Sequence, residues 1–91
     1  MKIKMYCVFD RKSCAYMHPF FQMATGQALR TFGDTVKDKS TPIGKHPDDY
    51  ALYYNGTFDD ESGEIEAVVP EFVANGSDFV YEGSQGVEYA R

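Results

Sequence analysis

Lys45-His-Pro-Asp-Asp-Tyr-Ala-Leu-Tyr-Tyr-Asn-Gly-Thr-Phe-Asp-Asp-Glu-Ser-Gly-Glu-Ile65 is the stretch that decides the fold. Pro47 biases His46 away from the helical region, so the chain enters this stretch extended or in a turn. Tyr, Leu and Phe suit a pleated, half-buried surface, which predicts a strand over residues 49–59. Side chains alternate along a strand, so Tyr50, Leu52 and Tyr54 share one face, and Ala51 and Tyr53 share the other.

Two turn signals compete for the hairpin that follows. Asn55-Gly56 is a favoured two-residue pair, whereas the acidic run from Asp59 to Gly63 suits a longer loop closed by glycine at positive φ. We favour the longer loop, because residues 57–58 still have strand character and residues 64–69 supply a partner strand. Asn55-Gly56 is then predicted to form a bulge. The acids of the loop are typical of a solvated turn, and their spacing is not that of a calcium loop.

The N-terminal segment predicts a second strand, because apolar and polar residues alternate over Lys2–Phe9. One set is expected to face the core: Ile3, Met5, Cys7 and Phe9. The other set is expected to face outward: Lys2, Lys4, Tyr6 and Val8.

A helix of about 14 residues is predicted to begin at Thr25, which can cap it. Its buried stripe is formed by Leu29, Phe32, Gly33 and Val36, at the spacing of one helical face. Before the helix, Pro19 stops any helical turn over residues 15–17, and residues 20–21 are expected to pack on the core as a lid.

The C-terminal third is predicted to contain one helical turn over residues 70–76, with proline first and glycine just past its end. Residues 79–81 are predicted to add an edge strand, and residues 82–91 to form a flexible tail. The expected fold is therefore a single α+β domain over residues 1–81. It combines a small antiparallel sheet, made of the N-terminal strand and the central hairpin, with one main helix packed on one face.

Length, composition and charge limit the functions that the chain can have. The 91 residues suffice for one domain, and no apolar run reaches the length of a membrane span or a signal peptide. Two cysteines are too few for a disulfide framework and are typical of free thiols in a reducing cytoplasm. The net charge of −5 divides unevenly: residues 1–45 carry eight basic against three acidic residues (+5), and residues 46–91 carry one against eleven (−10).

The basic half suggests a nucleic-acid surface. Lys2, Lys4 and Tyr6 share a strand face near Arg11 and Lys12, and basic groups interleaved with a stacking ring suit single-stranded DNA. The helix and the residues after it extend the candidate DNA-binding set to Lys2, Lys4, Tyr6, Arg11, Lys12, Arg30, Lys37 and Lys39. The plainer alternative is an edge strand protected from aggregation by its lysines.

The cysteines and histidines suggest two kinds of chemical site, a zinc site and a catalytic pair, and ordinary free thiols are the alternative to both. Cys7, Cys14, His18 and His46 are the residue types of a zinc site, but six residues separate the cysteines instead of two to four. Cys14 and His18 are spaced as a nucleophile and base on one helical face, yet no orienting acid or glycine-rich oxyanion loop accompanies them. We therefore predict no catalytic residues, no metal and no cofactor, and expect that the protein is not an enzyme.

Short phrases in a fixed order, over about residues 1–80, carry a family resemblance. They are Pro19-Phe20-Phe21, Ala28-Leu29-Arg30-Thr31-Phe32, Asp34, Thr41-Pro42, Lys45-His46-Pro47-Asp48-Asp49-Tyr50, Leu52-Tyr53, Gly56 and Phe58-Asp59-Asp60-Glu61-Ser62-Gly63. Their order resembles the small non-structural protein of microviruses, the gokushovirus-type single-stranded DNA phages, often labelled a DNA-binding or replication and packaging protein. Ser62 stands where that family more often has a threonine, and neither cysteine belongs to the pattern.

The resemblance implies a non-enzymatic role in phage genome handling in the cytoplasm of the bacterial host. Such accessory proteins help to turn replication from duplex synthesis toward packaging of single strands. Our leading hypothesis is that the chain binds single-stranded DNA through its basic N-terminal surface. The alternative is an acidic interaction module that contacts phage replication or capsid proteins without touching DNA. A homodimer fits both hypotheses, and no membrane partner is expected.

Overall fold

One sheet and one main helix form the framework of the computed structural model, which describes residues 1–80. The five strands are β1 (Lys2–Asp10), β2 (Ala15–Tyr16), β3 (Phe20–Gln22), β4 (Tyr50–Asp59) and β5 (Ile65–Asn75). The helices are α1 (Thr25–Lys37) and the short α2 (Pro42–Lys45), with 3₁₀ turns at Pro47–Asp49 and Gly76–Phe79. This architecture confirms the predicted α+β class. The predicted tail, residues 82–91, and Tyr81 lie outside the described residues.

All strand pairs are antiparallel. The sheet runs β2-β1-β4-β5, and β3 also pairs with β1, so the two short strands share one edge of β1. The free edge on the other side belongs to β5, which pairs with β4. We call the end of the sheet near the β1–β2 connection, residues 11–14, the turn end. The opposite end, where β4 passes into β5, is called the hairpin end.

The hairpin forms as predicted. The Asp59 N–H donates to the carbonyl of Glu64 (2.9 Å), and Gly63 adopts φ 79°, which closes the acidic loop. Asn55-Gly56 is the predicted irregularity, since the β4–β5 register shifts between Tyr54 and Gly56. Gly56 has φ 132°, and a Cβ there would lie 2.1 Å from the Glu66 carbonyl oxygen. Glycine is therefore required at this bulge by both conformation and space.

The helix packs on the face of β1 opposite to the one that we predicted. Tyr6 (0% exposed) and Val8 (7%) lie in the core with Leu52 of β4 and with Phe32 and Val36 of α1. The prediction that these β1 residues face outward was wrong. Alternation separates the two faces of a strand but does not say which one a helix will cover, and both faces of β1 carry apolar side chains. Cys7, on the other face, is also buried.

The helix itself spans 13 residues, and Phe32, Gly33 and Val36 are buried as predicted. Thr25 does not cap it: Ala24 is the N-cap residue, and the side chain of Gln27 accepts the Met23 and Ala24 N–H groups. The segment before the helix forms β2 and β3. In β3, Phe20 packs against the core as a lid would, whereas Phe21 stays 46% exposed.

The C-terminal third differs from the prediction. Residues 70–75 continue β5 instead of forming a helical turn, and Gly76 begins a 3₁₀ turn, in which Phe79 lies instead of in an edge strand. Pro70 is tolerated in β5 because that strand is at the edge of the sheet, where a missing N–H need not break a ladder. Phe79 turns inward and packs edge-to-face on Phe32, with ring centroids 5.7 Å apart. Burial of this ring against α1 overrode the local strand propensity.

Two glycines of α1 test this packing. A Cβ at Gly33 would lie 2.9 Å from the ring of Phe79, whereas a Cβ at Gly26 would meet nothing within 4 Å. Gly33→Ala should therefore lower the free energy of unfolding by about 1–3 kcal/mol through overpacking. Gly26→Ala should raise it by up to about 1 kcal/mol, because alanine is the better helix former. Urea denaturation of both variants measures the difference, and equal stabilisation by both would contradict the packing of Phe79 on α1.

Candidate nucleic-acid interface

Within residues 1–80 no helix covers the side of the sheet opposite α1, which we call the open face, and the strand register assigns its residues. Cys7, Tyr53 and Phe72 pair in one row across three strands, and Tyr16 pairs with Phe9 in the next. Continuing the alternation along each strand gives the open face, which Ala51, Gly56, Ala67 and Asn75 share with ten larger side chains: Ile3, Met5, Cys7, Phe9, Tyr16, Phe21, Tyr53, Phe58, Ile65 and Phe72. No residue of this set carries a formal charge, and six of the ten are aromatic.

Four of these rings form a continuous cluster near the turn end. Phe9 lies 4.7 Å from Tyr16 and 6.1 Å from Tyr53, and Tyr53 lies 5.6 Å from Tyr16 and 5.9 Å from Phe72, between ring centroids. We call Phe9, Tyr16, Tyr53 and Phe72 the aromatic platform. The two outer rings remain accessible, since Tyr16 is 46% and Phe72 55% exposed. An accessible ring held by its neighbours is the kind of surface on which a nucleic-acid base stacks.

Alternation within each strand and pairing between strands together form the platform. The alternation of β4 places Tyr53 opposite the buried Leu52, and the same alternation places Phe9 opposite Val8. The turn over residues 11–14 then returns the chain so that Tyr16 pairs with Phe9, with Cys14 at φ 56°. Sequence reasoning missed the platform, although it did separate Tyr53 from the Leu52 face. The pairing of four strands, which brings the rings together, has no short-range signal.

Two predicted DNA-binding residues lie at the turn end beside the platform. The guanidinium of Arg11 donates to the carbonyl of Asp48 (2.6 Å) and to the side-chain oxygen of Asn75. Neither acceptor is a carboxylate, so these contacts hold the group in place without neutralising it. Lys12 is the next residue and is exposed. Together they place two cations at the end of an uncharged aromatic surface.

Acids also lie close to this turn, since the Lys12 N–H donates to a carboxylate oxygen of Asp10 (3.0 Å) and the Arg11 N–H to the carbonyl of Asp49 (2.8 Å). Burial, and then the carboxylates of Asp10 and Asp49, raise the pKa of Tyr50, whose side chain belongs to the core under α1. The turn end therefore carries acidic residues as well as the two cations.

Tyr6, predicted to stack on a base, is instead a core residue, and that prediction was wrong. It is 0% exposed, and its ring packs against Phe20 (5.9 Å) and Tyr54 (5.6 Å). Its hydroxyl shares a 2.8 Å hydrogen bond with the hydroxyl of Thr25, at the start of α1. Because the helix and β3 cover this face, no base can reach the ring.

The remaining predicted DNA-binding residues lie on other surfaces. Lys2 forms a 3.3 Å ion pair with Glu66, and Lys4, half-buried, lies on the face of β1 that carries Tyr6. The others belong to α1 and the loop after it: Arg30, Lys37 and Lys39. The cations of the N-terminal half therefore do not gather on one surface with Arg11 and Lys12. Contact of these five residues with DNA stays a prediction.

The hairpin end is acidic and ordered. One carboxylate oxygen of Asp59 accepts the Glu61 N–H (2.9 Å) and the Ser62 N–H (3.4 Å), and this holds the pKa of Asp59 below its usual value. The ammonium group of Met1 lies 3.0 Å from a carboxylate oxygen of Asp60 and 3.7 Å from one of Glu61. The acidic loop and the two cations, Arg11 and Lys12, thus lie at opposite ends of the open face.

The thiols are separated by burial. Cys7 lies in the interior of the sheet, where burial raises the pKa of its thiol, and Cys14 is exposed in the turn. Among residues 1–80 no three His, Cys, Asp or Glu side chains are grouped closely enough to hold a metal ion. Within the same range no helix is long and apolar enough to cross a membrane.

Comparison with known proteins places the chain in a phage family. Residues 3–79 match the family model described as Phage ORF5 protein, which covers most of the chain and nearly all of the described fold. The chain belongs to this family. No curated protein and no solved structure matches it. The family supports the expectation of a phage accessory protein, and its matched segment includes both the aromatic platform and the acidic loop.

Removing the hydroxyl of Tyr6 tests its structural assignment. Tyr6→Phe should lower the free energy of unfolding by about 1 kcal/mol, because the buried hydrogen bond to Thr25 is lost. Tyr16→Phe is the matched control on the exposed platform, and it should leave stability within about 0.5 kcal/mol. Denaturant unfolding measures both. A neutral Tyr6→Phe would contradict the hydrogen bond that joins β1 to the start of α1.

Proposed function

We propose that the protein is a non-enzymatic phage accessory protein of genome replication or packaging that binds single-stranded DNA on the open face of its sheet. It acts in the cytoplasm of the bacterial host and belongs with the gokushovirus-type non-structural proteins that its sequence resembles. The observation that carries the proposal is the aromatic platform with Arg11 and Lys12 at its end. This differs from the basic strand face that the sequence alone suggested.

In the proposed complex the bases contact the aromatic platform and the phosphates contact Arg11 and Lys12. The exposed rings of Tyr16 and Phe72 offer stacking faces, and stacking tolerates any base because every base has a π-face. Arg11 and Lys12 offer charge to the phosphates that follow. A duplex hides its bases inside the helix, so the platform favours single strands over double strands.

The acidic hairpin loop lies far from this site and contributes little to the potential there. Asp59, Asp60, Glu61 and Glu64 are at the hairpin end, and β4 is ten residues long, which separates the ends by about 30 Å. Charges separated by several Debye lengths are largely screened at physiological salt. The net charge of −5 therefore does not decide the local potential at the turn end.

Binding can be measured by the anisotropy of a labelled oligothymidylate of about 12 nucleotides, at low salt. Phe72→Ala and Tyr16→Ala should each weaken binding about 5- to 100-fold, through loss of one stacked base. Lys12→Gln should weaken it and reduce the slope of log affinity against log salt by about one phosphate contact. Duplex of the same length should bind more weakly.

The matched control for the cation is Lys39→Gln, which removes an exposed lysine from the loop after α1. It should leave both affinity and salt slope unchanged. If Lys39→Gln reduces the slope and Lys12→Gln does not, the DNA lies on the helix side of the molecule. If the wild-type protein binds no oligonucleotide at tens of micromolar, direct contact with DNA is wrong.

The ordered acidic loop favours a second candidate, an interaction module for phage replication or capsid proteins. Asp60 and Glu61 present carboxylates from a loop whose backbone is held by Asp59. Neutralising Asp59 would disturb the loop itself, so the informative change is Asp60→Asn with Glu61→Gln. Loss of a partner protein in pull-downs from infected cells, with unchanged affinity for oligothymidylate, supports this function. Retention of every partner argues against it.

A further inference from the structure

We propose that a second copy of this chain covers the open face when DNA is absent, with the strands of the two sheets running antiparallel. The dimer is of the face-to-face type, in which two sheets bury their apolar sides against each other. One in-plane twofold axis, perpendicular to the strands, relates the copies. The proposal concerns the same face as the DNA site, and only its competition with DNA rests on the proposed function.

The composition of the open face supports burial by protein. Its ten larger side chains include no charge, and Ile65 (62%), Phe72 (55%), Phe21 (46%) and Tyr16 (46%) are all well exposed. Core positions of stable interfaces are poor in charged residues and rich in aromatic ones. Contiguous exposed apolar surface of this kind marks an interaction site in a globular protein.

The size of the face matches what a dimer needs. β4 has ten residues and four strands lie side by side, which gives a footprint of about 33 by 19 Å, or about 600 Å². Two such faces together bury about 1,200 Å², at the lower end of the range for specific protein interfaces. The described fold places α1 on the other side, so the second copy meets no helix on this face.

Charge selects the orientation. In face-to-face packing the twofold axis has two possible directions. An axis that runs along the strands places the hairpin end of one copy over the hairpin end of the other. An axis that runs across the strands places the hairpin end of one copy over the turn end of the other. The first choice brings the acids of two loops together: Asp60 and Glu61 of both copies. The second brings those acids over Arg11 and Lys12 of the other copy. The antiparallel arrangement keeps the two acidic loops apart and brings each near two cations, so it is favoured.

The dimer interface overlaps the proposed DNA site. The second copy and a single strand need the same exposed rings, Tyr16 and Phe72, so each excludes the other. A ligand that binds only the monomer shifts the equilibrium toward the monomer by mass action. Self-association would then hold the platform covered until single-stranded DNA becomes available.

The mass of the full chain in solution is the first test. Light scattering after size exclusion, under reducing conditions, should give twice the chain mass of 10.3 kDa at high protein concentration. Phe72→Glu should reduce it to the monomer mass, since the carboxylate would be buried in the interface. Val80→Glu is the matched control, because Val80 is 43% exposed and follows the turn that packs on α1. It should remain dimeric, and a monomer for the wild type overturns the proposal.

Cross-linking tests the orientation. Cys14 is exposed at the turn end and Cys7 is buried, so a short bismaleimide reports on Cys14 alone. In the antiparallel dimer the two Cys14 thiols lie about 30 Å apart, and wild type should give no covalent dimer. Ser62→Cys at the hairpin end should give a covalent dimer through Cys14 of one copy and residue 62 of the other. Efficient cross-linking of the wild type through Cys14 would overturn the antiparallel arrangement.

Added oligothymidylate separates this proposal from the proposed function. Dissociation of the dimer into a monomer–DNA complex supports both. A dimer that binds no DNA supports the proposed interface and contradicts the proposed DNA site. If the DNA complex stays dimeric and the Phe72→Glu variant is also dimeric, the proposal that a second copy covers the open face is wrong. DNA binding is then still supported. Far-UV circular dichroism of Phe72→Glu must match wild type, so that a monomer is not mistaken for an unfolded chain.

Discussion

One helix lying on one side of the sheet is the constraint on which the rest of this structure depends. The helix α1 is 13 residues, about 20 Å, and its buried stripe of Ala28, Phe32 and Val36 covers Tyr6, Val8 and Leu52. That contact uses one face of a sheet whose longest strand has 11 residues. Within residues 1–80 the opposite face carries no helix, so its side chains meet either solvent or a partner. The chemistry of that second face therefore decides what the protein can bind.

The open face holds its shape because its rings support each other. Phe9 and Tyr53 are only half-exposed, since Phe9 is flanked by two rings of the platform and Tyr53 by three. Tilted and edge-to-face ring pairs stabilise such a cluster beyond the area that they bury. A surface that is apolar and ordered before binding loses little conformational entropy when a base or a second sheet packs on it. The same property suits both occupants.

Charge is arranged around this face and not on it. Four acids cluster in the hairpin loop, Arg11 and Lys12 lie with Asp10 at the turn end, and the uncharged rings lie between the two ends. A net charge of −5 is an average over these regions and over the helix side. Membership of the Phage ORF5 protein family identifies this arrangement as that of a phage protein.

The sequence by itself determined the elements whose signals are local. Alternation predicted β1 and β4, the glycines at 56 and 63 predicted the bulge and the loop, and the stripe of Phe32, Gly33 and Val36 predicted α1. These features follow from backbone conformation and from periodicity within one segment, which neighbouring residues largely decide. Some of the family phrases also lie in these segments, such as residues 28–32 in α1 and residues 58–63 at the loop.

Only the tertiary structure decided which face of the sheet the helix covers. That choice buried Tyr6, exposed the platform and moved the candidate DNA site to Tyr16 and Phe72, because α1 packs across strands that are distant in sequence. It also kept residues 70–75 in β5, where pairing with β4 outweighs the helical signal of Pro70, and turned Phe79 inward onto Phe32. Each of these outcomes depends on contacts between segments far apart in the chain, and local propensity carries no information about them.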